Sequence, residues 1–446
     1  MTYYYPSGYV LYRNLHYHYP LVIKGEGIYL YDEQGKKYLD ASGGAAVVNI
    51  GHGVKEIAEA ISAQAQKIGY LNGMQFTHFT VEKLSAQISR VLPFAESKIF
   101  FLASGSEAVE ASIKLSRQYW VEKGRSTKYR IISRRPSYHG NTLTALSLSA
   151  RKHYKDIFKP LLTEYSQIPA PYCYRCFYHE EYPGCGLKCA YQLEKAILAL
   201  GEESVSAFLT EVIGGASTGA AVPPPEYFQI IRKICDDYQV LLIADEVMTG
   251  LGRTGKWLAC HHFQLSPDII IMGKGLSGGY FPLSAVAVKK SIVDSIFNNG
   301  KNFLHAQTFT QHPVGCAAGL ATLNYIKRHN LVERCSTLGG ILRKELKPLI
   351  NHPYVGDIRG KGLLLGIEFV KEKIEKKPFL RKEKFVEQFV SKVLEEGMVV
   401  WPNIGQADGL NGDLILLAPP FIIKVDEISK IVNTLKKILS QIKNFD

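Results

Sequence analysis

Two kinds of hydrophobic spacing divide the chain. Near its start, Gly27-Ile-Tyr-Leu-Tyr31 and Lys36-Lys-Tyr-Leu-Asp40 alternate apolar and polar positions around Asp32-Glu-Gln-Gly35, which predicts two strands joined by an Asp/Gly turn. From about residue 75 to 325, short wholly apolar runs are separated by amphipathic segments of helix length. That alternation predicts a largely parallel sheet wrapped by helices. From about 330 onward the pattern becomes a helix (Leu331 to Leu349), a strand-like Gly362 to Val370, a helix (Phe385 to Glu396) and a last helix from Asp426, which predicts a smaller α+β domain. No longer repeat recurs, so the chain is neither a solenoid nor an array.

The ends of the middle-zone strands are polar in a particular way. Lys98-Ile-Phe-Phe-Leu102 runs into Ala103-Ser-Gly-Ser-Glu107, and Tyr129-Arg-Ile-Ile132 leads towards Tyr138-His-Gly140. Val205 to Thr210 ends at Glu211, Val240 to Ala244 ends at Asp245, and Asp268 to Met272 stops just before Lys274. In open α/β sheets, ligands bind beyond the carboxyl ends of the strands, so these scattered residues are expected to line one cleft.

Composition narrows the class. The 446 residues are 46% hydrophobic and 21% charged, an ordinary globular balance that excludes a disordered, collagenous or coiled-coil chain. No apolar run approaches the ~18 residues of a membrane helix. Met1-Thr-Tyr-Tyr-Tyr-Pro6 lacks the pattern of a secretory leader, so a soluble, cytoplasmic protein is expected. The net charge of +12 would suit a nucleic-acid partner if it clustered. The densest stretch, Lys371 to Lys384, interleaves Glu372, Glu375 and Glu383 with its bases and reads as a solvated face. Neither nucleic acid nor membrane is expected as a partner.

Three strand ends carry distinct chemistry. Ser104 and Glu107 have capping-box spacing at the head of an apolar-periodic helix, Ala108 to Tyr119, where free amides and the helix dipole form a phosphate cradle. The plainer reading is a capped helix alone. Lys274, between glycines after an apolar strand, is placed to be desolvated and nucleophilic in Schiff-base chemistry, although a lone lysine is more often a surface group. Asp245 ends the most hydrophobic strand and needs a cationic partner: a protonated pyridine nitrogen of pyridoxal phosphate, or in the bland alternative a salt bridge to Arg253.

Together these segments resemble a known family, the class III (fold type I) pyridoxal-phosphate-dependent aminotransferases, in their omega-transaminase-like branch. The resemblance spans nearly the whole chain, including Asn49-Ile-Gly-His-Gly53, Ser104 to Ala108, Tyr138-His-Gly140, Asp245 to Gly255, Gly273-Lys-Gly275, Thr308 to Pro313, Arg359 to Gly362 and Ala418-Pro-Pro-Phe421. It implies a mainly parallel seven-stranded sheet in a large domain, residues 75–328, and a small α+β domain built from 1–74 and 329–446. By the same resemblance, Lys274 is the Schiff-base lysine and proton carrier, Asp245 the partner of the pyridine nitrogen, and Glu211 a support of the active-site hydrogen bonds. Ser104, Gly105 and Ser106 with His139 and Gly140 would hold the cofactor, Tyr138 would stack on one ring face, and Val247 would press on the other. Thr308 would reach the phosphate of the neighbouring subunit, which implies a homodimer with shared sites, or a tetramer of such dimers. Leu11, Tyr12, Val48 and Phe76 would be pocket walls, or plain core packing.

The departures from the family bear on substrate. Where members acting on 4-aminobutyrate or ornithine carry an arginine after the aromatic-His-Gly motif, this chain has Asn141. An amide cannot make the bidentate grip of a guanidinium. Leu414-Ile-Leu-Leu-Ala-Pro-Pro420 lacks the arginine that many relatives, 2,2-dialkylglycine decarboxylases among them, place before the Pro-Pro pair, and Gly409 stands where the amine:pyruvate branch tends to have a mobile arginine. Arg134 and Arg135 are then the candidates to hold an acceptor carboxylate. The expected reaction is transfer from a primary amine or omega-amino acid to an oxo acid such as pyruvate. The alternatives are an amino acid:2-oxoglutarate aminotransferase, or a decarboxylase, racemase or mutase on the same cofactor.

Cys173-Tyr-Arg-Cys176 and Cys185-Gly-Leu-Lys-Cys189 fall in a Pro- and Tyr-rich insertion, about 166–190. Four thiolates so spaced can hold zinc or an iron–sulfur cluster; disulfides and packed free thiols are the other readings.

Overall fold

The computed structural model describes residues 3–442. Three short strands open the chain: β1 (Val22–Glu26), β2 (Tyr29–Asp32) and β3 (Lys37–Asp40). β2 and β3 pair antiparallel around the anticipated turn, whose Asp32 Oδ1 accepts from the amides of Gln34 and Lys36.

Seven strands then build the central sheet: β4 (Ser97–Leu102), β5 (Arg130–Arg135), β6 (Ser166–Pro169), β7 (Val205–Glu211), β8 (Leu241–Asp245), β9 (Ile269–Met272) and β10 (Ser284–Lys289). Their spatial order is β4-β10-β9-β8-β7-β5-β6, and only β10 runs antiparallel to its neighbours. Every residue of β7, β8 and β9 is buried, because both faces of the sheet are covered. Successive side chains point to opposite faces. Phe208, Leu242 and Ile270 pack with Leu193, Ile197, Phe228 and Ile231 on one side, while Leu209, Ile243 and Ile271 meet Ala108, Val109 and Leu115 on the other.

The remaining strands are β11 (Val355–Lys361), β12 (Leu364–Phe369), β13 (Met398–Val399), β14 (Trp401–Ile404) and β15 (Asp413–Leu417). β11, β12, β15 and β14 form an antiparallel sheet. β13 instead pairs parallel with β3, so the first strands are completed by a late one. Helices Leu331–Leu346, Phe385–Glu395 and Val425–Gln441 close a core that also takes in Ile28, Leu39 and Ile57.

The cysteine-bearing segment, open to a metal, disulfides or free thiols, carries no disulfide. All eight cysteines are unpaired, and among the described residues no group of three or more His, Cys, Asp or Glu side chains is arranged to hold a metal ion. A buried polar network anchors the segment instead. Glu368 on β12 accepts from Tyr172 and Arg175 of the insertion and, at 2.7 Å, from Arg359 on β11. Arg359 also donates to the Tyr172 hydroxyl at 2.7 Å and to Asp357 Oδ2 at 2.8 Å, so two guanidiniums meet two carboxylates.

Candidate active site

The C-terminal ends of the central strands open into one cavity of about 350 Å³, lined by Ser104, Gly105, Ser106, Tyr138, His139, Gly140, Glu211, Asp245, Val247 and Lys274. These expected residues come from five strand ends and their loops.

The helix Gly105–Glu122 carries the expected capping box. Ser104 Oγ accepts from the Glu107 amide at 3.3 Å, and Glu107 Oε2 accepts in return from the Ser104 amide at 2.9 Å. The cap fixes the first turn, which leaves its leading amides and the positive end of the dipole at the cavity. Two glycines shape the opening. A Cβ on Gly105 would stand 3.1 Å from Val247 Cγ1, and one on Gly140, whose φ is +140°, would meet Ser106 Oγ at 2.3 Å. Ser106 Oγ accepts from the Asn141 amide at 2.9 Å, which ties the two loops together.

Asp245 and Glu211 end neighbouring strands in register. Asp245 does not pair with Arg253, whose guanidinium donates to the carbonyls of Leu363 and Pro419. Its Oδ2 lies 2.8 Å from His139 Nδ1, and its Oδ1 accepts from the Val247 amide at 3.0 Å. His139 is held in turn through its backbone amide, which donates to Ser149 Oγ at 2.8 Å. Glu211 is 6% exposed; Oε1 accepts from the Gly215 amide at 2.8 Å and Oε2 from Ser217 Oγ at 3.3 Å. Burial pushes its carboxyl above the usual range and nearby Asp245 adds to this, against the pull of His139 and Arg134.

Lys274 follows β9 with φ at +45°, a left-handed turn that directs the chain away from the sheet. Burial lowers the pKa of its ammonium, while Asp245 and Glu211 oppose the shift. A larger share of free amine is the chemical consequence.

Other expected residues lie elsewhere. Thr308 is exposed, and its carbonyl accepts from the Tyr70 hydroxyl at 3.1 Å, outside this cavity. Leu11 and Phe76 are 87% and 62% exposed, and Tyr12 stacks on Tyr19. Val47, rather than Val48, lines the cavity. Arg135 sits over the Phe177 ring, and Arg134 donates to the Glu211 carbonyl at 2.5 Å, so neither faces the site. The His139–Asp245 bond and the Gly215 and Ser217 contacts were not foreseen. The His-Gly step after Tyr138 is the one sequence signal for the first of these.

The sequence pattern of the aminotransferase class-III family matches residues 12–439. The chain belongs to the class III aminotransferases. Among its relatives, the putrescine–pyruvate aminotransferase of Pseudomonas aeruginosa is 34% identical over 94% of this chain and 90% of its own length. The taurine–pyruvate aminotransferase of Bilophila wadsworthia is 35% identical over 95% and 92%. A Bacillus anthracis aminotransferase of known structure has a TM-score of 0.90 and 36% identity, covering 95% of this chain and 94% of that one. A thermostable (S)-enantioselective omega-transaminase from Thermomicrobium roseum has a TM-score of 0.90 and 32% identity, over 98% and 96%. The seven-stranded sheet is therefore that of the fold type I transaminases. Among the described residues no helix is long and apolar enough to cross a membrane.

Proposed function

We propose that this aminotransferase moves the amino group of a primary amine or omega-amino acid to an oxo acid, with pyruvate the favoured acceptor, in a ping-pong cycle on pyridoxal phosphate. The observation that carries the reading is the convergence of Lys274, Asp245 and the capped helix terminus at Gly105 and Ser106 on one cavity. The residues fit the group. The helix terminus with Gly140 suits a phosphate, the Asp245 carboxylate suits a protonated ring nitrogen, and Tyr138 and Val247 offer an aromatic and an aliphatic wall to a flat ring. The putrescine–pyruvate and taurine–pyruvate names of two relatives support the donor and acceptor classes.

When bound, pyridoxal phosphate supplies an aldehyde that condenses with amines and a ring that accepts the electron pair of a C–H bond. The protein's part is to position and to move protons. Lys274 Nζ, whose free amine is favoured by burial, would hold the cofactor and would be the base placed to take the proton from the α-carbon of a bound amine. Asp245, fixed by His139 and the Val247 amide, presents its carboxylate to the cavity, where it would face the ring nitrogen. Glu211 holds the neighbouring loop through Gly215 and Ser217. Thr308, exposed and outside its own cavity, would serve the site of a second copy, so the working unit is a homodimer, and its setting is the cytoplasm.

The test is product analysis with the cofactor-loaded protein, a panel of amines that includes putrescine, 1-phenylethylamine, beta-alanine and 4-aminobutyrate, and pyruvate or 2-oxoglutarate. Alanine formed in step with loss of a donor amine is the expected result. Turnover of an amine without any oxo acid would instead indicate a racemase, mutase or decarboxylase.

A further inference from the structure

Lys274 leaves β9 in a conformation that its residue type does not favour, with φ at +45°. A residue with a Cβ is strained in the left-handed region, and such a turn persists where its surroundings hold it.

The holding group comes from the other end of the chain. Asn49 is 2% exposed, and its Nδ2 donates to the Gly275 carbonyl at 3.0 Å. That carbonyl also accepts from the Gly278 amide at 3.2 Å, so both of its lone pairs are engaged. Asn49 Oδ1, by contrast, is buried without a partner among the described residues. One bond therefore orients this side chain, and it goes to the residue after Lys274. The approach is close. A Cβ on Gly275 would stand 2.7 Å from Asn49 Nδ2, and one on Gly278 would stand 2.9 Å from Ile50 Cγ1. A second anchor lies at the far end of the loop, where the Tyr280 hydroxyl accepts from the Val54 amide at 2.7 Å and donates to the Gly51 carbonyl at 3.1 Å. The carbonyl of Asn49 itself accepts from the Phe421 amide at 2.8 Å. Residues 49–54 thus grip the loop 274–280 at both ends, and Phe421 holds the grip from behind.

We propose that Asn49 is a positioning residue for Lys274: its bond to Gly275 holds the left-handed turn from which the lysine enters the cavity, with Tyr280 as the second anchor of the same clamp. The proposal rests on the transaminase reading given above, in which Lys274 needs a fixed aim to carry a proton. Proton transfer depends on closely set distances, so a turn free to relax lowers the rate more than it weakens binding. The unpartnered Oδ1 points the same way. Leucine would fill this volume and leave no orphaned acceptor, so what asparagine adds here is the bond it donates.

Asn49→Leu separates positioning from packing, because it removes the orphaned oxygen and the donor together at nearly constant volume. Tm is expected to stay at the wild-type value or rise. In the cofactor-loaded enzyme, kcat with an amine and pyruvate should fall about tenfold to a hundredfold, while KM for the amine changes by less than about twofold. A second readout needs no cofactor: acetylation of Lys274 by acetic anhydride across pH, followed by peptide mass spectrometry. Burial lowers the pKa of this lysine, which Asp245 and Glu211 face. A relaxed turn admits water to the ammonium, so the midpoint of labelling should move up in the variant. An unchanged kcat, a loss carried by KM alone, or a lower kcat with the wild-type midpoint would overturn the proposal. If Asn49→Leu does not fold, Tyr280→Phe decides: a fall in kcat of about threefold or more with a raised midpoint supports the clamp, and wild-type values overturn it. Failure of the wild-type protein to take up pyridoxal phosphate, or of borohydride to fix it to Lys274, would refute the transaminase reading itself, which is seen before any variant is made.

Discussion

His139 Nδ1 and Asp245 Oδ2 are joined across 2.8 Å, with the imidazole fully buried. An ionised carboxylate only accepts, so the imidazole proton shared with it sits on Nδ1. The other nitrogen, Nε2, has no partner among the described residues. With the Val247 amide on Oδ1, each oxygen of Asp245 is engaged by one donor and the carboxylate cannot rotate.

That bond separates charge from orientation. His139→Leu is expected to keep the cofactor but lower kcat by about tenfold to a hundredfold, since only the aim of the carboxylate is lost. Asp245→Asn removes the charge and should cost more, roughly a thousandfold. Single-turnover rates with one amine decide between them. Equal effects would mean that His139 does more than aim Asp245.

The cup should be intolerant of any side chain at Gly140. A methyl there would meet Ser106 Oγ at 2.3 Å and Ala145 Cβ at 2.9 Å. Gly140→Ala is expected to weaken pyridoxal phosphate binding about tenfold to a hundredfold, for about 1–3 kcal/mol of strain. Titration of the cofactor-free protein with pyridoxal phosphate measures it, and unchanged affinity would show that the two loops need not touch.

Asp413, at the start of β15, is buried without a cation within ion-pairing distance among the described residues, and its Oδ1 accepts only from the Val386 amide, at 3.1 Å. Burial raises its carboxyl to about 6, with Glu383 adding and Val386 and Arg381 opposing. The folded protein therefore binds this proton more tightly than the unfolded chain does, so the group favours folding at low pH and that contribution is lost as pH rises from about 4 to about 6. Asp413→Asn should raise Tm above pH 6, for up to about 3 kcal/mol, with the gain fading towards pH 4. Melting curves across that range would contradict the account if the gain were largest in acid.

Glu368 should behave oppositely, because its charge is matched. Arg359 and Arg175 hold its carboxyl below the usual range despite burial. Removing the charge leaves two guanidiniums buried together, so Glu368→Gln is expected to destabilise by about 3–5 kcal/mol. Thermal melting reads the loss. A variant as stable as the wild type would mean that the cysteine-bearing segment is held by other contacts.

Much of this arrangement can be read from the residues, and the exceptions have physical causes. β7, β8 and β9 are legible because a strand buried on both faces has nearly no polar residue until its end, and those ends are Glu211, Asp245 and the approach to Lys274. The Ser104–Glu107 box is legible because its two bonds are local. The reversed direction of β10 is not, since an apolar run such as Ser284–Lys289 carries no sign of which way it runs. Nor is the partner of Asp245, which sits 106 residues away at His139, while Arg253 is nearer in sequence and turns to backbone carbonyls.

Amino transfer requires Lys274 and Asp245 to serve one bound cofactor. The most direct measurement is the visible absorption of the purified protein loaded with pyridoxal phosphate, followed as an amine and then pyruvate are added, beside Lys274→Ala. The expected result is a band in the wild-type protein that bleaches with amine, returns with pyruvate, and is absent or displaced in Lys274→Ala. No band after loading, or the same band and the same bleaching in Lys274→Ala, would contradict it.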